Sequence, residues 1–284
     1  MDGIILKNNC NNTEKRYKRV LSIAGSDSSG GAGIQADLKT ISALGCYGMT
    51  VITALTAQNT KGVNNVLPIP SDFVRDQMKA IFDDIGTDAL KIGMLYSKEL
   101  VEAVSEILIE YKVKNIVFDP VMVAQSGDKL IQDEAIASLK KSLFPIADII
   151  TPNIPEAEVI LDSQIKNPTD AQNAAKEISH FYGCPNVLVK GGHLLDEDSC
   201  VDYLYMKSLD KLVEIKSDRI ITNNNHGTGC TLSSAIAAYL AKNENMEESV
   251  KKAKFFVHKA IFFGRQYKIG QGHGPIHHFF KSWE

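Results

Sequence analysis

Val20-Leu21-Ser22-Ile23-Ala24, the loop Gly25-Ser26-Asp27-Ser28-Ser29-Gly30-Gly31, the helical run Gln35–Leu44 halted by Gly45, and the apolar run Thr50–Gln58 together set the fold. A β-rich run, a glycine loop, a helix and a second β-rich run make one βαβ unit, which demands parallel strands. The alternation continues outward. Ser71–Asp84 predicts a helix, with Phe73, Val74, Gln77, Met78 and Ile81 on one face. Ala89–Met94 predicts a strand. Ser97 is placed to cap a helix that carries Leu100, Val101, Val104, Ile107, Leu108 and Tyr111 at helical spacing. Ile116–Pro120 and Ile146–Thr151 read as strands. Thr169-Asp170-Ala171-Gln172 fits a capping box ahead of Ala174, Ala175, Ile178 and Phe181. Val187–Lys190 is a further strand, Val201–Met206 and Leu212–Ile221 a late β-hairpin, and two helices follow at about Thr231–Lys242 and Met246–Tyr267. The expected architecture is α/β, a mostly parallel sheet covered on both faces, with ligands held beyond the carboxyl ends of the strands.

Composition narrows the class. The 284 residues are 44% hydrophobic and 23% charged, ordinary values for a globular chain. Residues 1–16 are polar and read as a flexible extension, and 17–284 as a single domain. The net charge is −3 and no long basic run occurs, so nucleic acid is not an expected partner. Apolar runs such as Ala235–Ala241 fall short of the roughly 20 residues of a membrane span. Met1–Asn12 lacks the apolar core and small-residue site of a signal peptide, so none is expected. The five cysteines, Cys10, Cys46, Cys184, Cys200 and Cys230, are widely spaced, odd in number and without a C-x-x-C. That pattern argues for reduced thiols in a cytoplasm and against a disulfide framework or zinc cluster.

Chemistry concentrates at the strand ends. His226-Gly227-Thr228-Gly229-Cys230 runs straight into a small-residue apolar helix. Glycines let consecutive N–H groups converge, and a helix N-terminus adds unpaired donors and positive potential, which together suit a phosphate. The bland alternative is a helix-start turn with a buried thiol. Gly31-Ala32-Gly33-Ile34-Gln35-Ala36 satisfies the dinucleotide fingerprint, but Leu38–Ser71 contains no Asp or Glu to hold a ribose hydroxyl. A Walker loop is absent, which leaves Gly227–Gly229 as the best anion site. Asp37, just inside the first helix, reads alone as an acid stabilised by the helix dipole. Asp119-Pro120 and Asn153-Ile154-Pro155-Glu156 close strands; Asn153 and Glu156 can face a hydrated Mg²⁺, or Asn153 can simply cap a helix. Lys190 can screen a triphosphate or be a surface lysine. Gln58 offers an amide that can read a heteroaromatic edge.

Seven runs in order then carry a resemblance: Ala24–Thr40, Ala54–Thr60, Lys91–Met94, Asp119–Met122, Thr151–Asn153, Lys190–His193 and His226–Thr231. They resemble hydroxymethylpyrimidine/phosphomethylpyrimidine kinases, the thiamine-pathway branch of the ribokinase-like superfamily, over roughly residues 18–280. The resemblance implies a three-layer α/β/α fold with a late hairpin, and a cytoplasmic homodimer. It implies a reaction with ATP and Mg²⁺ that phosphorylates 4-amino-5-hydroxymethyl-2-methylpyrimidine and then its monophosphate. It places Gln58 on the pyrimidine, with Gly25, Asp37, Met94 and Val121 lining its pocket. Asn153, Lys190 and Asp119 fall on the nucleotide side, Glu156 at the metal, and Gly227, Thr228 and Gly229 at the anion hole. Cys230 stands where the wider superfamily usually carries an Asp base; it is expected to take the hydroxymethyl proton late, its pKa lowered by the helix N-terminus. The alternatives are a pyridoxal kinase of the same branch and a non-catalytic pyrimidine sensor. Gly270–His278 resembles the family's C-terminal motif, without a physical role legible in the sequence. Lys129 and its neighbours, or the segment near Asp196–Ser199, are candidate lids.

Overall fold

The computed structural model describes residues 15–122, 131–193 and 198–283. Along the chain run β1 (Arg19–Asp27), α1 (Gly33–Ala43), β2 (Tyr47–Asn59), β3 (Gly62–Pro68), α2 (Ser71–Asp84), β4 (Ala89–Ile92), α3 (Lys98–Glu110) and β5 (Ile116–Phe118). Then come α4 (Asp133–Ser138), β6 (Ile149–Ile150), α5 (Ile154–Leu161), α6 (Pro168–Tyr182), β7 (Asn186–Val189), β8 (Ser199–Met206), β9 (Lys211–Asp218), α7 (Thr228–Ala241) and α8 (Met246–Gly264). The strands form one sheet in the order β3-β2-β1-β4-β5-β6-β7-β8-β9. From β2 to β7 every neighbouring pair is parallel, and the two ends of the sheet are antiparallel.

Period-two alternation makes the three layers. Leu21, Ile23, Leu90, Ile92, Ile116, Phe118, Val187 and Val189 face the core shared with α2, α3 and α6. Val20, Ala89, Val117, Ile149 and Leu188 face the opposite core, shared with α7 and α8. Strands buried on both faces need apolar residues at nearly every position. Lys91 on β4 breaks that rule, and the site explains why.

One strand was not foreseen, and two expectations need correction. Strand β3 was not legible, because Gly62, Asn64 and Asn65 interrupt any apolar alternation; it survives as a largely exposed edge strand paired only with β2. The strand expected at Ile146–Thr151 shrinks to β6, because Pro145 lies in a 3₁₀ turn, Phe144–Ile146, that ends a helical stretch continuing α4. Helix α6 is capped by Asn167, whose Oδ1 accepts from the Asp170 N–H at 3.0 Å, rather than by Thr169. Pro168 occupies the first turn, where its missing N–H costs nothing. The Ser97 cap stands as read, accepting from the Leu100 N–H. No helix among the described residues is long and apolar enough to cross a membrane.

Candidate active site

A cavity of about 680 Å³ opens at the carboxyl ends of the central strands. One end is flat and apolar. Met94 and Val121 join Ala54, Val63, Val66 and Tyr96 in a small cluster separate from the two main cores. Gly25 lies against it, with room for a Cβ only 3.3 Å from Met94 Sδ. The Thr53 hydroxyl donates to the Met94 carbonyl at 2.8 Å and fixes this wall. Gln58 lies at the rim, its backbone held by Ser28 Oγ through both the N–H and the carbonyl. A planar ring with polar edges fits such a slot.

Asp37 is not in that slot. It sits one turn into α1, past the first turn expected for it and off the cavity wall, where it is fully buried and accepts from Ser22 Oγ at 2.6 Å and Ser234 Oγ at 2.7 Å. Its main partner is Lys91, with Nζ 2.9 Å from Oδ2 and both side chains wholly inaccessible. Lys91 does reach the cavity wall, so the acid expected to line the pocket holds a lysine that does. Burial opposes the ammonium charge, but Asp37, Cys230 and Asp119 outweigh it and raise the Lys91 pKa.

The other end carries charge. Lys190 Nζ lies 2.7 Å from Asp119 Oδ1 and 3.8 Å from Glu156 Oε2. It is therefore no surface lysine. Thr151 donates to Asp119 at 3.0 Å. Asn153 and Glu156 form a reciprocal capping box at the start of α5, each side chain 2.8 Å from the other's N–H. Burial opposes the Asp119 charge, yet Lys190 and Lys91 hold its carboxyl below the usual range. Glu156, farther from Lys190, goes the other way: burial prevails over Lys190, with Asp119 adding to it, and its pKa rises to about 7. Among the described residues no group of three or more His, Cys, Asp or Glu can hold a metal ion. Two carboxylates beside one lysine do fit a hydrated Mg²⁺ that arrives with phosphates, since that ion keeps several waters and needs few protein ligands.

Between the two ends sits the glycine turn. Gly227, with φ +84°, is the N-cap of α7, and its carbonyl accepts the Thr231 N–H at 2.9 Å. A Cβ there would overlap the Gly31 carbonyl oxygen, so the two glycine loops touch backbone to backbone. Asp27 pins the contact. Its carboxylate accepts from the N–H groups of Ser29, Gly31 and Ala32, and lies 2.8 Å from His226 Nε2. Burial resists the Asp27 charge, but His226 and these donors win and lower its pKa. Gly229 faces the charged cluster: a Cβ on it would lie 3.6 Å from both Asp119 Oδ2 and Lys190 Nζ. Thr228 and Cys230 line the same wall.

Cys230 departs from expectation. The helix N-terminus does not lower its pKa; burial pushes the thiol up to about 11, against the pull of Lys91 and the Gly33 N–H and with Asp37 and Asp119 adding to it. It is a thiol at neutral pH. At pH 7.5 iodoacetamide is therefore expected to modify Cys230 roughly a hundredfold more slowly than a free thiol. Site-resolved mass spectrometry of the alkylation rate against pH measures this, and a rate that levels off by about pH 9 contradicts it.

A family model described as phosphomethylpyrimidine kinase matches residues 27–277. The chain belongs to this family. It is 46% identical over 263 residues to the hydroxymethylpyrimidine/phosphomethylpyrimidine kinase of Escherichia coli, covering 93% of this chain and 98% of that protein. It is 48% identical to the thiamine biosynthesis bifunctional protein of Geobacter sulfurreducens across 91% of this chain, but spans only about half, 52%, of that relative. The pyridoxal kinase of Staphylococcus aureus, solved with AMP-PCP and pyridoxal, superposes with a TM-score of 0.85 at 35% identity, over 95% of this chain and 97% of that one. The three-layer ribokinase-like architecture expected from the resemblance is the one this chain adopts.

The geometry brings Gln58, Gly25, Met94 and Val121 to one end of the cavity, and Asn153, Lys190, Asp119 and Glu156 to the other, with Gly227, Thr228, Gly229 and Cys230 on the wall between. Sequence reasoning passed over three contributors. Lys91 was signalled by a lone charge inside the apolar strand Ala-Leu-Lys-Ile. Asp27 and His226 gave no signal as a pair, because 199 residues separate them. Lys129 and residues 196–197, candidates for a lid, lie outside the described residues.

Proposed function

We propose that this protein uses ATP with Mg²⁺ to phosphorylate 4-amino-5-hydroxymethyl-2-methylpyrimidine, and then its monophosphate, in thiamine biosynthesis. One observation carries the reading: the glycine turn at the start of α7 faces the Asp119–Lys190–Glu156 cluster in the same cavity as the flat Met94–Val121 slot. The ring lies in that slot with Gln58 on its polar edge, which aims the hydroxymethyl group at the turn. Its oxygen bonds to the γ-phosphorus as the bond from phosphorus to the β-bridging oxygen breaks; the hydroxyl proton passes late to an oxygen of the transferred phosphoryl group and on to solvent, and ADP leaves. Phosphoryl transfer has a loose transition state, so positioning and charge stabilisation outweigh proton removal. The Gly227–Gly229 amides and Lys190 supply that stabilisation from fixed positions. When bound, Mg²⁺ neutralises charge between the phosphates; Glu156 and Asp119 are the residues that would hold it through water. A protonated Cys230 cannot take the hydroxymethyl proton at the outset, which confines the thiol to packing and hydrogen bonding beside the reacting oxygen. The homodimer and the cytoplasmic setting belong to the same proposal and rest on the resemblance.

Pyridoxal is the competing substrate, since the pyridoxal kinase of Staphylococcus aureus shares this fold. A coupled assay of ADP release with each alcohol separates the readings. Higher kcat/KM for the pyrimidine is expected. A preference for pyridoxal overturns the substrate assignment, and tight pyrimidine binding without turnover overturns the kinase in favour of a sensor.

A further inference from the structure

No residue of Gly270–His278 lines the cavity, yet the segment bonds to two loops that border it, one beside Gln58 and one that carries the glycine turn. At one end it reaches the turn between β2 and β3. The Thr60 hydroxyl accepts from the N–H groups of Gln271 at 3.3 Å and Gly272 at 3.1 Å, and the Thr60 carbonyl accepts from the His273 N–H at 2.8 Å. Thr60 is two residues from Gln58. Toward the glycine turn the Gly274 N–H donates to the Asn223 carbonyl at 3.1 Å, and the Gly274 carbonyl accepts from the His226 N–H at 3.0 Å. His226 and Pro275 form a parallel bridge. The spacing of glycines follows from this placement. A Cβ on Gly272 would overlap the Thr60 carbonyl oxygen, and one on Gly274 would overlap Asn224 Oδ1, so side chains at these two alternate positions would push both loops off.

The segment is itself fastened. The His277 N–H donates to the Ala260 carbonyl of α8 at 3.0 Å. His278 is buried, with Nε2 2.9 Å from Thr231 Oγ1, one residue past Cys230 in the first turn of α7. Burial, with Lys39 and His277 adding, pushes its pKa down to about 3, which keeps the ring neutral against the helix. Asn224 completes the frame, its amide donating to the carbonyls of Gly264 at 2.9 Å and Tyr267 at 2.6 Å.

We infer that Gly270–His278 is a positioning brace for phosphoryl transfer, tying the turn beside Gln58 to the Asn223–Thr228 loop so that the pyrimidine slot and the glycine turn keep one spacing. The inference rests on the proposed kinase reading. A misplacement of about 1 Å between reacting groups costs on the order of a hundredfold in rate, so a strut of this kind has a kinetic consequence far from the chemistry. Its members act through the loops they hold and touch no reacting atom.

Thr60→Val keeps the side-chain shape and removes the acceptor for two of the three N–H groups. Hydrogen–deuterium exchange and steady-state turnover are compared in wild type, Thr60→Val and Thr60→Ser. Thr60→Val is expected to speed exchange in residues 271–275 and also in 223–228, and to lower kcat about fivefold, with the unfolding midpoint little changed. Thr60→Ser restores both. Faster exchange confined to 271–273, or an unchanged kcat, overturns the brace. Thr231→Val removes the partner of His278, loosens the segment from α7, and is expected to speed exchange at 271–275 and lower kcat in the same way, so the inference stays testable if one variant fails to fold. A wild type inactive on the pyrimidine sinks the kinase reading instead, and the exchange at 223–228 then still decides whether the brace exists.

Discussion

Gly227→Ala is expected to lower kcat for the pyrimidine about a thousandfold, the scale seen when a preorganised oxyanion donor set is lost. Two independent penalties meet at this residue. Its φ of +84° lies in the left-handed region, which costs a residue with a Cβ roughly 1 kcal/mol. The new methyl would also overlap the Gly31 carbonyl oxygen, so the anion turn and the first glycine loop must separate. That separation pulls against the Asp27–His226 contact and tilts the amides away from Lys190 and Asp119. Gly229→Ala is the control. Its Cβ would sit 3.6 Å from its nearest neighbours, an ordinary contact, and its backbone has no positive φ. It is expected to cost about tenfold or less in kcat, because the N–H groups stay aimed. Substrate-dependent ADP release measures both variants, with circular dichroism to show that each is folded. A folded Gly227→Ala enzyme retaining a tenth of wild-type turnover would remove the turn from its catalytic role.

The layered fold was legible because its signals are local. Apolar period two and period 3.6 alternated with turn residues, and most strands and helices between Val20 and Tyr267 fell where those periods placed them, give or take a turn; β3, α4 and the extent of α5 were not foreseen. The failures share one cause: a stronger local or tertiary term overrode the pattern. Pairing with β2 stabilises β3 despite its asparagines. Pro168 moved a helix start by fixing its first turn. The site was legible at strand ends, where Gln58, Asp119, Asn153 and Lys190 follow apolar runs. What could not be read was pairing. Asp37 was expected at the pocket until the fold brought Lys91 of β4 against it, and Cys230 looked activated until its surroundings proved dry and flanked by Asp37 and Asp119 as well as Lys91. Helix termini lower a thiol pKa where water also reaches it; here desolvation is the larger effect.

Lys91→Met is expected to destabilise the fold by about 3–5 kcal/mol, the cost of stranding one member of a buried ion pair. Lys91 and Asp37 are both wholly inaccessible, and the ammonium is the only cation bonded to that carboxylate among the described residues. Ser22 and Ser234 would remain as hydroxyl donors, which is too little for a buried charge. The double variant Lys91→Met/Asp37→Asn removes both charges and keeps a polar group for the two serines, so it should recover more than half of the loss. The pH dependence has a definite sign. The folded-state pKa of Lys91 is raised, so its contribution is fully present below the unfolded value of about 10.4 and is lost only as pH rises through the higher folded value. From pH 6 to 9 the ammonium therefore stays charged and its contribution does not change. Urea unfolding of the wild type, the single variant and the double variant measures the three free energies. A double variant no more stable than the single one would show that the lysine stabilises by packing alone. Recovery would show that Asp37 needs its cation, and that the fold holds a charge at the cavity wall, beneath Cys230, at the expense of stability that an apolar residue could have supplied.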